Sequence, residues 1–202
     1  MPEQWIVESA TTPPTDYNLI VPDGWFKLLL GPEDRDRSII ALADQQFHGI
    51  DNAPLLKEQM MRELQKTAKD AYQAGGIELY LSTLRVGPLP LSSSLLVSFP
   101  MPGTMPPSRD VHTLAEVLGR RGTETTVVKL SAAGRAVREV RSEPADPQTQ
   151  LGNKLPTTTV KFYVPVPATE EWLILAFSTP LDPLARRMVG LFDAVADTLH
   201  WT

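Results

Sequence analysis

Apolar and polar positions along the chain follow two periods, and the switches between them outline the fold. Residues 18–22 (NLIVP) and 25–30 (WFKLLL) are short apolar runs joined by Asp23-Gly24, a dipeptide that turns one strand back on the next; the pattern predicts a hairpin. Pro32, with Glu33, Asp34 and Asp36, then opens a helix, because proline suits a first turn and carboxylates suit its positive end. Ile39, Ala43, Phe47 and Ile50 recur at helical spacing as one stripe, and Gly49 ends it. A second helix starts near Pro54 with Leu56, Met60, Leu64, Ala68 and Ala71 on its apolar face and stops at Gly75-Gly76.

The rest of the chain is mostly strand. IELYLSTL (77–84) and SLLVSF (94–99) pair across a proline-containing loop, and HTLAEVLGRRG (112–122) is a short helix. TTVVKL (125–130), GRAVREVRSE (134–143) and TVKFYVPVP (159–167) follow as strands. In the last of these Val160, Phe162, Val164 and Val166 alternate with Lys161, Tyr163, Pro165 and Pro167, giving one buried and one wet face; the prolines place its end at a sheet edge. Trp172 to Phe177 does not alternate, which marks a central strand covered on both faces. Asp182 then caps, and Pro183 starts, a final helix whose Leu184, Met188, Leu191, Val195 and Leu199 form one stripe, widened by Phe192. Such a helix lies on a sheet. The polar break STPLDP between strand and helix is therefore explained as structure. One α+β domain over residues 1–202 is expected, a mostly antiparallel curved sheet packed against helices.

Composition narrows the function more than the fold. A net charge of −5 argues against nucleic acid, since neutralising phosphates takes a surplus of Lys and Arg. Cysteine is absent, so disulfides, thiolate metal sites and cysteine nucleophiles are excluded together. MPEQWIVES lacks a basic end leading into an apolar stretch, and no apolar run approaches the ~20 residues of a membrane helix. A cytoplasmic protein with no membrane span is the expectation.

Motifs for hydrolase elbows, phosphate loops, dinucleotide folds and zinc helices are missing, and no cofactor is implied. His48 with Asp51 is the nearest approach to an acid/base pair, although a histidine at a helix's negative end explains the same residues. Ser92-Ser93-Ser94 has no base tied to it and reads as a loop. The carboxylates of 34–36 are accounted for by the helix dipole. Trp5, Trp25, Trp172 and Trp201 read as core or rim aromatics.

Two features are left over. Residues 120–141 carry Arg120, Arg121, Lys129, Arg135, Arg138 and Arg141 against only Glu124 and Glu139, a basic stretch in an acidic chain. Arg135 and Arg141 share one strand face and Arg138 the other. The stretch suits either an acidic partner or a solvated face laced with weak ion pairs. The loop FPMPGTMPPS (99–108) presents Met101 and Met105, either as an adaptable contact surface or folded back over a sheet edge.

The order of elements, with VPDGW (21–25) early and WLILAFSTPLDPLARRMVGLFDAVADTL (172–199) late, resembles the PsbP-like α/β/α sandwich family. A composition rich in Ala, Arg and Pro is similar to that of actinobacterial proteins. The chain departs from the family's lipoproteins in lacking a lipid-bearing cysteine, and from its photosystem subunit in lacking an apparent metal cluster. What the resemblance implies is a non-enzymatic binding role, with no residue roles carried across. The function expected is therefore a protein-interaction or adaptor module using Arg135, Arg138, Arg141, Met101 and Met105. A small-ligand or lipid carrier is the alternative, and a hydrolase built on His48 comes third.

Overall fold

The computed structural model describes residues 12–50, 53–87, 89–101, 103–106, 109–120, 123–144 and 156–202. Trp5, Asp51, Arg121, the proline-rich segment 145–155 and positions 102, 107 and 108 lie outside the described residues.

Seven antiparallel strands form the central sheet. They are β2 (Trp25–Leu29), β3 (Gly76–Ser82), β6 (Ser94–Ser98), β7 (Glu124–Leu130), β8 (Gly134–Glu143), β9 (Thr157–Pro165) and β10 (Trp172–Thr179), in the spatial order β2-β3-β6-β10-β9-β8-β7. Two small pairs accompany it: β1 (Tyr17–Asn18) with β11 (His200–Trp201), and β4 (Arg85–Val86) with β5 (Leu89–Pro90). β10 is the middle strand, as its unbroken apolar run predicts, flanked by β6 and β9. Its odd residues Leu173, Leu175 and Phe177 point to one face, and Trp172 and Ile174 to the other.

Helices cover the two faces unequally. On one face α4 (Ala185–Asp197) lays Met188, Phe192, Val195 and Ala196 against Leu95, Val97, Phe162, Leu175 and Phe177, all buried. Phe192 stacks on Phe177 with ring centres 4.9 Å apart, and Trp25 meets Phe192 edge-on at 6.4 Å. On the opposite face α1 (Arg35–Gln46) and α2 (Pro54–Gln73) pack over β2 and β3 through Ile39, Leu42, Ala68, Leu28 and Leu79. Beside them α3 (Val111–Gly119) packs Val111, Leu114 and Leu118 on Val137, Tyr163 and Trp172. Asp110 caps α3, accepting from the backbone N–H of Thr113 at 2.9 Å and of His112 at 3.3 Å. The result is a three-layer α/β/α sandwich on an antiparallel sheet, the α+β class expected.

Several local expectations are corrected. Residues 18–22 and 25–30 do not form a hairpin: β1 pairs with β11 and β2 with β3. The β2–β3 register sets Leu28 opposite Leu79 and buries both, whereas Ile20 stays 67% exposed, so burial chose the distant partner. Gly24 still turns the chain at φ +80°, and its carbonyl accepts from the Thr83 N–H at 2.7 Å. The β9 prolines mark the strand's end, but β9 lies inside the sheet between β10 and β8. Asp182 makes no capping bond; residues Asp182–Leu184 form a 3-10 turn and α4 begins at Ala185. His200 belongs to β11, opposite Asn18. The face predicted for α2 holds from Leu64 to Ala71, but Leu55 and Leu56 in its first turn are exposed.

Candidate functional site

Two concave regions gather side chains that the core does not need. The first lies at the sheet end where β6 leaves and β10 begins. Gly75, at φ +92° just past α2, lets the chain approach Phe99: the Phe99 N–H donates to the Gly75 carbonyl at 2.9 Å, and a Cβ on Gly75 would fall 2.0 Å from the Phe99 oxygen. The segment after Phe99 then turns at 101–104, with the Thr104 hydroxyl and N–H donating to the Met101 carbonyl at 2.6 and 3.1 Å. That turn holds Met101 outward, 51% exposed, while Met105 packs against the α3 core. Phe99, Met101, Met105 and buried Trp172 line a cleft of about 500 Å³ rimmed by Glu170 and Glu171. A second cavity of about 330 Å³ shares Phe99 and Glu171 with it and runs on past Ile77, Val166, Tyr17 and Trp201. The Trp201 Nε1 is buried without a partner among the described residues. This trough is apolar inside and acidic at its edge.

The second region is a polar basin on the sheet face that carries α1, α2 and α3. Cross-strand register brings Thr159 opposite Arg141 and Lys161 opposite Glu139, and Glu143 completes a cavity of about 130 Å³. Glu139 is only 7% exposed, and the Tyr163 hydroxyl donates to its Oε2 at 2.7 Å. Arg141 pairs with Glu143 at 3.0 Å. The Glu143 hydrogen bond first, then the field of Glu139, holds the Arg141 guanidinium above its ordinary pKa. Among the described residues Lys161 makes no ion pair or hydrogen bond. Sequence reasoning had Lys161 and Tyr163 on a wet face, whereas α3 buries Tyr163, and it did not bring Glu139 beside them, because strand pairing is not written in either strand alone.

The three arginines expected at a contact surface do not form one stripe. Arg138 turns to the α4 face, where its Nε and Nη2 donate to Asp193 at 2.7 and 3.1 Å. Arg141 is held by Glu143 on the opposite face. Arg135 is exposed at the sheet end that also carries Pro165 and Trp172, the end of the methionine cleft. The structure thus brings Met101, Met105 and Arg135 to one end and separates Arg138 and Arg141 from them.

Catalytic pieces stay scattered among the described residues. His48 is exposed beyond α1, and His200 Nδ1 lies 3.2 Å from the Thr198 carbonyl. Ser94 bonds Ser178 across β6 and β10 at 3.0 Å rather than an imidazole. No group of three His, Cys, Asp or Glu residues able to hold a metal is found among the described residues. No helix of the described residues is long and apolar enough to cross a membrane.

The sheet and its helices define an α/β/α sandwich. No protein-family model and no curated protein matches the chain. Among solved structures, the crystal structure of LpqN, involved in cell envelope biogenesis of Mycobacterium tuberculosis, is 14% identical with a TM-score of 0.46, over 97% of this chain and 87% of that one. The solution structure of cyanobacterial PsbP (CyanoP) from Synechocystis sp. PCC 6803 is 13% identical with a TM-score of 0.33, over 92% and 86%. A PsbP is therefore among the similar structures, the group that the sequence resembles. At these identities and scores no function passes from them to this chain.

Proposed function

We propose that the chain is a non-enzymatic protein-interaction module that captures a partner segment in the methionine cleft. The observation that carries the reading is Met101, half in solvent and bonded at its carbonyl by Thr104, in a cleft it lines with Met105, Phe99 and Trp172. Methionine is flexible and polarisable, so such a surface adapts to apolar side chains of differing shape. Glu170 and Glu171 at the rim add the chemistry of the partner: an apolar side chain flanked by Lys or Arg, steered by opposite charge. An acidic partner would rest on Arg135 alone, because Arg138 and Arg141 are already engaged by carboxylates of this chain.

The absence of cysteine makes the test direct. Met101→Cys introduces a unique thiol for a photocrosslinker, used in a native lysate. The expected product is one protein crosslinked through a segment rich in apolar and basic residues. Excess parent chain competes it away, and Met101→Glu/Met105→Glu does not. Uncompeted, scattered products, or capture through acidic segments, overturn the reading. A lipid-sized adduct in native mass spectrometry, displaced by the same double substitution, would favour the carrier alternative instead.

A further inference from the structure

The polar basin lies a sheet's length from the methionine cleft and poses a separate problem. Glu139 sits in the middle of β8, nearly out of water, where an apolar residue would pack as its neighbour Val137 does. Burying a carboxylate is unfavourable unless charge or hydrogen bonds offset it. Its only hydrogen bond among the described residues comes from the Tyr163 hydroxyl, a neutral donor. The natural counter-charge stands directly opposite it on β9, yet Lys161 does not close on it. The Thr159 hydroxyl lines the same hollow one pair along, and Arg141 and Glu143 close its mouth as a matched pair.

Four charges, two of each sign, therefore surround a hollow of about 130 Å³ with a cation and an anion facing each other unjoined. A simple anion would meet Lys161 but be repelled by Glu139 and Glu143. A simple cation would meet the reverse. A molecule with a carboxylate and an adjacent ammonium satisfies both. We propose that this basin binds a small α-amino acid zwitterion, its carboxylate on Lys161 and Thr159 and its ammonium on Glu139. The size of the hollow restricts the side chain to that of glycine, alanine or serine.

Titration of the full chain by isothermal calorimetry tests this with glycine, alanine and serine. Acetate, methylammonium and lactate are the comparison probes. At least one amino acid should bind saturably, about tenfold or more tighter than each half-molecule probe, since each of those leaves one charge of the basin unmet. Lys161→Met should weaken binding by about tenfold or more at an unchanged unfolding midpoint, a loss expected when a charge-assisted contact goes. Glu139→Gln should do the same, and Lys161→Met keeps the test decisive if that variant folds poorly. No saturable binding by roughly 10 mM, a range that includes even weak metabolite sites, overturns the proposal. Acetate binding as well as glycine also overturns it, since that marks an anion site, as does lactate matching alanine, since the ammonium would then be dispensable.

Discussion

The two faces of the central sheet are built on different terms. The face under α4 is a continuous apolar layer: Leu95, Val97, Phe162, Leu175 and Phe177 meet Met188, Phe192 and Val195, and Arg138 on this side is neutralised by Asp193. The other face is covered in two pieces, α1 and α2 over β2 and β3, and α3 over the far strands. The gap between the pieces is floored by Ser178, Thr159, Lys161 and Glu139, and the methionine cleft opens at its end. The hollow of about 290 Å³ beside α4 holds charges that are already joined, Arg138 with Asp193. Three helices that cover only parts of a sheet leave concavities, and those are where side chains without a core role collect. Stability should therefore be concentrated on the α4 face and binding on the other.

The strongest way to break this comparison is Phe177→Ala. Phe177 is fully buried, stacked on Phe192 and edge-on to Phe162 at 6.1 Å. Truncation removes the ring's burial and leaves a cavity in a layer that cannot collapse around it. Urea unfolding should show a loss of about 3–5 kcal/mol, as buried aromatic truncations do. A loss under about 1 kcal/mol would mean the α4 face is not where stability lies.

Next in size is the ion pair at the edge of that face. Arg138 and Asp193 have side-chain exposures of 16% and 42%, and two hydrogen bonds fix them. Arg138→Met leaves a carboxylate that water can still reach, so the cost falls short of that for a fully buried pair. About 1–2 kcal/mol is expected in the same urea assay. Replacing both partners, as Arg138→Met/Asp193→Leu, should recover most of it, because no charge is then left unpaired on an apolar surface. A double variant as weak as the single one would show that the pair is held for packing rather than charge.

The sequence made the two faces unequally legible for a related reason. The α4 stripe and the unbroken run of β10 are local periodicities, and both emerged as read. Which strand pairs with which is decided by long-range burial. Leu28 found Leu79 rather than the neighbouring run before Asp23, and pairing with β10 and β8 placed β9 inside the sheet despite Pro165. Met101 and Met105 were visible as an odd apolar loop, but only the fold sets them over Trp172. Arg135, Arg138 and Arg141 looked like one basic segment because a strand's charges sum along the chain, while in space alternate residues meet different carboxylates. Glu139 with Lys161 was hidden for the same reason, lying on strands separated by segment 145–155.

A smaller effect links the terminal strands to the covered side. Tyr17 and Tyr80 both donate to Glu78 Oε2 at 2.8 Å, and Lys27 closes on its other oxygen. Burial, then Glu78, holds both phenols well above their ordinary pKa. An unfolded tyrosine loses its proton near pH ~10, whereas the folded ones keep theirs. Above that pH the unfolded state binds fewer protons, so stability falls as pH rises, and the contribution is present in full only below it. Tyr17→Phe should cost about 1 kcal/mol at neutral pH, the worth of one hydrogen bond, and should flatten the alkaline decline. An unchanged decline, followed by circular dichroism between pH 9 and 12 (roughly the span about the free phenol), would show that Tyr17 is not held neutral by the fold.

The smallest expected effect is the sharpest test of the open face. Lys161 sits in the middle of β9, at the level of the core residues Val160 and Phe162, where a substitution on the covered side would be severe. It makes no ion pair among the described residues, and methionine keeps the length of its stem while removing a partly desolvated charge. Lys161→Met should therefore unfold within about 0.5 kcal/mol of the parent in urea, with an unchanged denaturant slope. A loss above about 1 kcal/mol would make Lys161 part of what holds β8 to β9. The basin would then be a structural layer like its counterpart, and the division of labour between the two faces would fail at the residue chosen to display it.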